Sequence, residues 1–370
     1  MDKTDLCFLD TTIALAKKGE GKTSPNPLVG AVIVKQKQII SEGTHYRCGA
    51  SHAEINALRK AGAKAKGATI YVNLEPCSHF GQTPPCVQAI IKAGIKRVVI
   101  GMKDPNPLNN GRGIRQLRSA GIKVELAIEQ QKFKKFNEIF IKYITIKLPF
   151  VIVKTGQSLD GKIAGKNGES KWITGKRARN YAQSIRNRVD GIMVGINTLL
   201  QDDPYLSCRY KGRLKKDNPI KIIVDTHLRT PLNARIFSSD SPAKVIIAVT
   251  EKADAQRISL FKDKGINLIL CPFDQKGRID LRFLLTLLAQ QKITSILVEG
   301  GGKLIGSCFD EALVDYAYFF IAPKIIGGVV APNSVAGNGV SCVQKAITLK
   351  NARTDKIGVD FLVCGDIVYH

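Results

Sequence analysis

An α/β architecture in two domains is what the residue pattern predicts. β-branched runs alternate with helix-patterned runs along the whole chain. Its 370 residues provide for two cores of ordinary size, and a strong new strand begins just after Pro149. The boundary is placed near residue 147, giving domains 1–147 and 148–370.

In the first domain, DTTIALAKKG (10–19) reads as a helix closed by Gly19, and LVGAVIVKQKQIISEG (28–43) as a hairpin. HAEINALRKAG (52–62) is a helix, GATIYVNLEP (67–76) a strand, and CVQAIIKAG (86–94) a helix ending at Gly94. IKRVVIGM (95–102), GIRQLRSAG (113–121) and IKVELAI (122–128) continue as strand, helix and strand. The alternation predicts a sheet covered by helices on both faces, an α/β/α sandwich. EQQKFKKFNEIFIKYITIK (129–147) follows as a polar helical stretch.

PFVIVKTGQSLDGKIAG (149–165) opens the second α/β domain. Further strands are expected at DGIMVGIN (190–197), IKIIVDT (220–226), KVIIAVT (244–250), INLILC (266–271) and SILVEGG (295–301). A C-terminal pair is expected around YFFIAPKII (318–326) and DFLVCGDIVYH (360–370). No internal repeat or low-complexity tract interrupts the pattern.

The formal charge, 56 Lys/Arg against 31 Asp/Glu, is +25. Residues 1–147 contribute 24 − 11 = +13 and the remainder 32 − 20 = +12, so the excess forms no local block. Aromatic residues make up only 6%, too few for a base-stacking surface. An anionic small molecule accounts for the charge as well as a nucleic acid does. No stretch has the run of about 18 apolar residues a membrane span needs, and the N-terminus lacks a secretory core. A cytoplasmic protein without membrane or nucleic-acid partners is expected. The nine cysteines are scattered, and only Cys77 and Cys86 lie in a context that suggests chemistry.

Two phosphate-loop patterns fail on spacing. GEGKTS (19–24) has Ala16 where a P-loop needs glycine, and it follows a helix. EGGGKLIG (299–306) follows a strand and opens a helix, so its amides could cradle a phosphate, but it misses the dinucleotide spacing by one residue.

His52, Cys77 and Cys86 offer one imidazole and two thiolates, the donor set of a catalytic zinc that keeps one position open for water. All three fall near helix starts, where thiolates are favoured. Glu54 lies beside them, placed to carry protons between water and a leaving amine. A structural zinc closed by Cys48 or His45 is the alternative. An H-x-E preceding P-C is the pattern of zinc nucleobase deaminases, but eight residues separate the two cysteines here instead of two.

LEPCSHFGQTPPC (74–86), with SPNPLVGAVIV (24–34), SHAEINAL (51–58) and DPNP (104–107), resembles the deaminase half of the bifunctional riboflavin-biosynthesis deaminase/reductases. PFVIVKTGQSLDGKIA, GESKWITG (168–175), VGINTLLQDDPYLSCR (194–209) and LVEGGG (297–302) resemble the reductase half, in the same order. The resemblance implies a cytidine-deaminase-like first domain and a dihydrofolate-reductase-like second domain. It implies Zn2+ and NADPH as cofactors, a phosphorylated pyrimidine as substrate, and a homo-oligomer.

By motif position, the resemblance makes His52, Cys77 and Cys86 zinc ligands, Glu54 the proton shuttle, and Asn26, Asp104 and Asn106 substrate contacts. In the second domain it makes Lys154 the catalytic group. Ser170, Arg186, Leu206, Arg209 and Glu299 would contact substrate. Gly156, Trp172, Thr198, Asp202, Gly301 and Gly302 would contact the cofactor. Trp172, the only tryptophan, would on its own read as a core anchor, and Asp202-Asp203-Pro204 as an ordinary turn. Gln82 departs from the family, which carries Arg or Lys there, and would weaken a charge-assisted grip on the substrate phosphate. Rival expectations are a nucleoside or tRNA-base deaminase fused to an unrelated domain, and a nucleic-acid-binding protein with a structural zinc.

Overall fold

The structure, a computed structural model, describes residues 2–81, 84–210, 213–214, 218–238 and 243–370. The chain divides into two compact units, Met1–Lys147 and Leu148–His370.

The first unit contains α1 (Lys3–Ala16), β1 (Gly30–Lys35), β2 (Gln38–Thr44), α2 (Ala53–Ala61), β3 (Thr69–Val72) and α3 (Cys86–Lys92). β4 (Arg97–Ile100), α4 (Arg112–Ser119), β5 (Lys123–Leu126), α5 (Gln130–Phe136) and α6 (Glu138–Ile146) complete it. The strands form one sheet in the order β2-β1-β3-β4-β5. β1 is antiparallel to both β2 and β3, and β3, β4 and β5 are parallel. Alternate faces of these strands bury Val32, Ile33, Ile70, Val72, Val98 and Ile100 against helix residues such as Leu9, Ala57, Ile90 and Leu117.

The β1–β2 hairpin turns through Gln36 and Lys37, both with positive φ (52° and 61°). That matches the twist of the flanking strands without the usual glycine. Gly43 on β2 lets α2 approach closely: a Cβ there would stand 2.0 Å from the Ala53 carbonyl oxygen. This contact fixes where α2 begins, and hence the position of His52. At the far end of the sheet Asp5 of α1 accepts hydrogen bonds from Arg97 and from the Tyr71 hydroxyl. The Arg97 guanidinium, with Tyr71 assisting, holds this carboxyl well below the usual carboxylate range despite its burial.

The second unit contains β6 (Phe150–Ser158), α7 (Lys176–Arg186), β7 (Gly191–Gly195), α8 (Ile196–Asp202), β8 (Arg209–Tyr210) and β9 (Arg213–Leu214). It continues with β10 (Ile220–Val224), β11 (Val245–Val249), α9 (Ala255–Asp263), β12 (Asn267–Leu270), α10 (Leu281–Gln290), β13 (Ser295–Gly300) and α11 (Gly302–Asp310). β14 (Tyr316–Ala322), β15 (Thr348–Ile357) and β16 (Asp360–Val368) close the chain. Nine strands form a sheet in the order β12-β11-β10-β7-β13-β6-β14-β16-β15. Its first seven strands run parallel, whereas β16 is antiparallel to both neighbours. The central strands are apolar on both faces, as a parallel sheet covered by helices requires.

Two expectations change in detail. The helical stretch 129–147 is two helices, broken at Asn137. The Asn137 side chain accepts from the Leu28 amide (2.9 Å) and donates to its carbonyl (3.2 Å), a tertiary tie that no local pattern announces. β15 was not expected, because TLKNARTDKI has neither apolar alternation nor a buried face. Pairing with β16 alone makes it a strand, at the edge of the sheet.

Candidate active sites

His52 stands at the N-cap of α2 with an extended backbone, and its side chain makes no capping bond. The imidazole turns instead toward two sulfurs: Nδ1 lies 3.3 Å from Cys86 Sγ and 3.5 Å from Cys77 Sγ. Cys77 follows β3, and Cys86 is the first residue of α3. The Cys86 amide donates to Cys77 Sγ (3.3 Å), and the Val87 amide donates to the Cys77 carbonyl (3.2 Å). The helix start and the preceding turn therefore clasp each other at the site. The three donor atoms lie within 4.8 Å of one another.

Their electrostatics suit a cation. The hydrogen bond with Cys86, assisted by His52 and the Cys86 amide, lowers the Cys77 thiol to about 4. Cys86 keeps the shared proton and shifts upward, through that same bond and through burial. The bond to Cys77 raises His52 against the opposing effect of burial. Glu54, two residues along in α2, is 3% exposed, and burial raises its carboxyl. Its Oε2 has no hydrogen-bond partner. A buried carboxylate oxygen without a donor, beside three soft and borderline metal ligands, fits a zinc ion and a water that are supplied from outside the chain.

The site is the floor of a cavity of about 250 Å³, lined by Asn26, His45, His52, Glu54, His79, Asp104, Asn106 and Tyr143 among others. The proposed substrate contacts Asn26, Asp104 and Asn106 thus share one cavity with His52 and Cys77. His45 Nδ1 lies 3.2 Å from the Ser51 carbonyl, so it carries the proton, and Nε2 then accepts from Asn26 Nδ2 (3.2 Å). Both ring nitrogens are thereby engaged within the protein. Among the described residues, the metal-type cluster contains neither His45 nor Cys48.

Asp104 accepts from the Asn106 amide (2.9 Å) and from Asn109 Nδ2 (3.0 Å). Burial outweighs these bonds and raises its carboxyl to about 6. Glu75 and Asn109, which the sequence did not single out, hold this loop. Glu75 accepts from the amides of Asp104 (3.1 Å), Gly111 (2.9 Å) and Ile114 (3.1 Å). Asn109 Oδ1 receives the Ser78 amide and hydroxyl. His79 lines the cavity with a buried Nδ1 that has no partner. Its placement between two cysteines was the available signal. Gln82 lies outside the described residues.

In the second unit, the parallel pairing of β13 with β6 sets Val298 opposite Val153, so Glu299 and Lys154 follow side by side. Lys154 Nζ is 3.8 Å from Glu299 Oε2. Arg186, at the end of α7, grips the same carboxylate with two nitrogens, Nε at 2.8 Å from Oε1 and Nη2 on Oε2. Arg186 Nη1 also donates to the Ser207 carbonyl (2.9 Å). Burial acts to raise the Glu299 carboxyl, but the charges of Arg186 and Lys154 prevail and hold it at about 2.

The remaining sequence-predicted residues of this unit are positioned by contacts outside the triad. Ser170 Oγ donates to Asp202 Oδ1 (2.8 Å), joining the 168–175 loop to α8. Trp172 is 63% exposed, with Arg179 stacked 4.2 Å from its ring, so it is no core anchor. Leu206 is buried, with positive φ (50°). Arg209 is exposed, and its amide donates to Gln183 (2.9 Å). Gly156 on β6 faces Thr174, whose Cγ2 would lie 3.5 Å from an added Cβ. Gly300 and Gly301 pass beneath Thr198 of α8: a Cβ on Gly301 would stand 3.2 Å from Thr198 Oγ1. Gly301 has φ 77° and turns the strand into α11. Gly302 is constrained by packing, since a Cβ there would stand 2.1 Å from the Asn333 carbonyl oxygen.

Comparison with known proteins identifies the family of each unit. Residues 2–102 match the cytidine and deoxycytidylate deaminase zinc-binding region, and residues 149–363 match the RibD C-terminal domain. The riboflavin biosynthesis protein RibD of Actinobacillus pleuropneumoniae is 42% identical over 360 residues, covering 97% of this chain and 94% of its own. Its counterpart in Aquifex aeolicus is 39% identical, covering 97% of each chain. Among solved structures, Acinetobacter baumannii RibD superposes with a TM-score of 0.87 at 34% identity, covering 99% of both chains. The diaminohydroxyphosphoribosylaminopyrimidine deaminase/5-amino-6-(5-phosphoribosylamino)uracil reductase of Thermotoga maritima gives a TM-score of 0.84 at 36% identity and the same coverage. On this full-length agreement, the chain belongs to the RibD family of bifunctional riboflavin-biosynthesis enzymes, joining a zinc-dependent deaminase domain to an NADPH-dependent reductase domain.

Proposed function

We propose that residues 1–147 deaminate 2,5-diamino-6-ribosylamino-4(3H)-pyrimidinone 5′-phosphate and that residues 148–370 reduce the ribosyl chain of the resulting 5-amino-6-(5-phosphoribosylamino)uracil to ribityl. The observation that carries the reading is the cluster of His52, Cys77 and Cys86 at a cavity that His52, Cys77 and Glu54 line, with one oxygen of Glu54 buried and unpartnered.

In the first reaction, His52 Nδ1 and the two thiolates hold the zinc. The bound ion supplies Lewis acidity that makes water a nucleophile near neutral pH. Glu54 would take a proton from the attacking water and return it to the departing 2-amino group, which would leave as ammonia. A carboxyl raised by burial can perform both transfers. Asn26, whose Nδ2 is held by His45, presents its Oδ1 to the pyrimidine, and Asp104, Asn106 and His79 supply further polar contacts.

In the second reaction, bound NADPH would be the source of the hydride that reduces the ribosyl chain. Lys154 delivers the proton that completes the reduction, and Glu299 orients it. Arg186 fixes Glu299, while Ser170, Leu206 and Arg209 line the substrate side. Gly156, Trp172, Thr198, Asp202, Gly301 and Gly302 form the cofactor side. A second copy of this chain is the proposed partner: β15 ends the sheet with its outer edge exposed, and Val329, Val330 and Val343 are exposed apolar residues.

The deciding assay supplies the diaminopyrimidine ribosylamine phosphate and follows ammonia release together with NADPH absorbance. Both signals are expected. Glu54→Ala should abolish ammonia release while retaining zinc, and Lys154→Ala should stop NADPH oxidation when the deaminated intermediate is supplied directly. Normal turnover in either variant rejects the corresponding role.

A further inference from the structure

The segment SLDGKI (158–163), at the end of β6, makes more contacts than a simple loop needs. Asp160 accepts from the Ile326 amide (3.0 Å) and the Gly327 amide (2.7 Å), and its Oδ1 also receives the Ser158 hydroxyl (2.6 Å). Lys162 pairs with Asn333 as an isolated antiparallel bridge. The Ile163 amide donates to the Pro332 carbonyl (3.0 Å), and the Ser334 amide donates to the Gly161 carbonyl (2.9 Å). Lys162 Nζ then reaches over the bridge to the Asn333 side chain (Oδ1, 2.7 Å) and the Ala331 carbonyl (3.2 Å). The loop thus grips residues 326–334 from one side.

The other side of this strap presses on α11. The Asn333 carbonyl oxygen sits where a Cβ on Gly302 would stand 2.1 Å away, and the Ala336 carbonyl oxygen sits 1.9 Å from a Cβ placed on Gly306. The Ala336 amide donates to the Gly302 carbonyl (3.0 Å). The Asn338 amide meets both oxygens of Asp310 at the far end of the helix (2.9 and 3.1 Å). Gly302 and Gly306 therefore serve close backbone packing, and α11 is held along its length by residues 333–338. The first turn of α11 adjoins Gly301 and Thr198, the proposed cofactor turn.

We infer that Lys162 is a positioning residue of the reductase: through Asn333 it clamps the strap that sets the Gly301–Gly302 turn for the cofactor. Lys162 touches neither cofactor nor substrate in this reading and acts through its contacts with the strap. The inference rests on the reading that the turn holds NADPH. Backbone amides at a helix start bind a phosphate well only when their directions are fixed, so loosening the strap weakens cofactor affinity before it touches the chemistry.

The test uses the full chain and measures NADPH binding by fluorescence without substrate, then KM and kcat of the reductase. Lys162→Met should weaken NADPH binding about three- to tenfold, the loss expected for one exposed hydrogen bond of ordinary net strength. KM for NADPH should rise in step, kcat at saturating NADPH should stay within about twofold, and deamination should be unchanged. Lys162→Arg, which keeps a cationic donor, should restore most of the affinity. Should Lys162→Met fail to fold, Asn333→Ala removes the same bond from the other side and decides the matter by the same measurements. Wild-type NADPH affinity in the folded variant, with Gly301→Val losing it, overturns the clamp while keeping the cofactor turn. Unchanged affinity in both Gly301→Val and the Lys162 variant overturns the reading of the turn itself. A fall in kcat without a change in affinity also overturns the inference.

Discussion

Arg186 and Glu299, 113 residues apart in sequence, meet in a two-pronged ion pair that also brings the carboxylate to within 3.8 Å of Lys154. Both partners of the pair are largely buried, with side chains 17% and 4% exposed. A single carboxylate thus faces two cations in a site that the bulk solvent scarcely screens.

Acid should weaken the reductase domain through this group. Glu299 is held at about 2, below its ordinary 4.5, so the unfolded chain binds its proton more readily. The stabilisation is fully present above pH 4.5 and declines as pH falls toward 2. Urea midpoints of this domain across that window should fall with acid in the wild type. A Glu299→Gln variant with an equally steep decline would show that other carboxylates are responsible.

Arg186→Lys keeps a positive charge but cannot reproduce the fork. Loss of a charge-assisted hydrogen bond of about 1.5–3 kcal/mol should lower reductase kcat/KM by roughly tenfold or more, with deamination unaffected. Wild-type reductase kinetics in this variant would reduce the fork to a structural detail.

Cys86→Ser should release zinc. The hydroxyl is a far poorer ligand than a thiolate, and two donors do not retain the ion against a chelator. Metal analysis after dialysis should find the variant nearly empty, in contrast to Glu54→Gln, which retains zinc without deaminating. Full zinc occupancy in Cys86→Ser contradicts the assigned ligand set.

Glu75→Gln tests the scaffold behind the first cavity. An amide can accept on one side only, so at least one of the three backbone amides it serves loses its partner, at about 1–3 kcal/mol. The thermal midpoint of the deaminase domain should drop, and KM for the pyrimidine should rise because the Asp104 loop loosens. An unshifted midpoint with unchanged KM rules out this scaffold role.

Much of this site was legible because zinc chemistry restricts residue types. Only His, Cys and acidic side chains suit the ion, and H-x-E with two flanked cysteines leaves few ways to assemble them. The hydrogen-bonding roles of His45, Glu75 and Asn109 were not legible. Each acts through a hydrogen bond to a residue distant in sequence, and a polar side chain looks the same on a surface as in a buried network. Trp172 would by its apolar bulk alone suggest core, and it stands exposed beneath Arg179.

The sequence by itself determined the α/β alternation, the change of domain near residue 147 and the donor types of the His52, Cys77 and Cys86 cluster, because helical and strand periodicities and ligand chemistry are local properties, whereas the reductase residues were implied only by the family resemblance. Tertiary structure alone decided that Asn137 breaks a helix to hold Leu28, and that polar β15 becomes a strand. It also decided that Glu299 is shared between Arg186 and Lys154, and that Lys162 grips the strap over Gly302. These depend on which distant groups folding brings within hydrogen-bond reach, a distance that residue order does not contain.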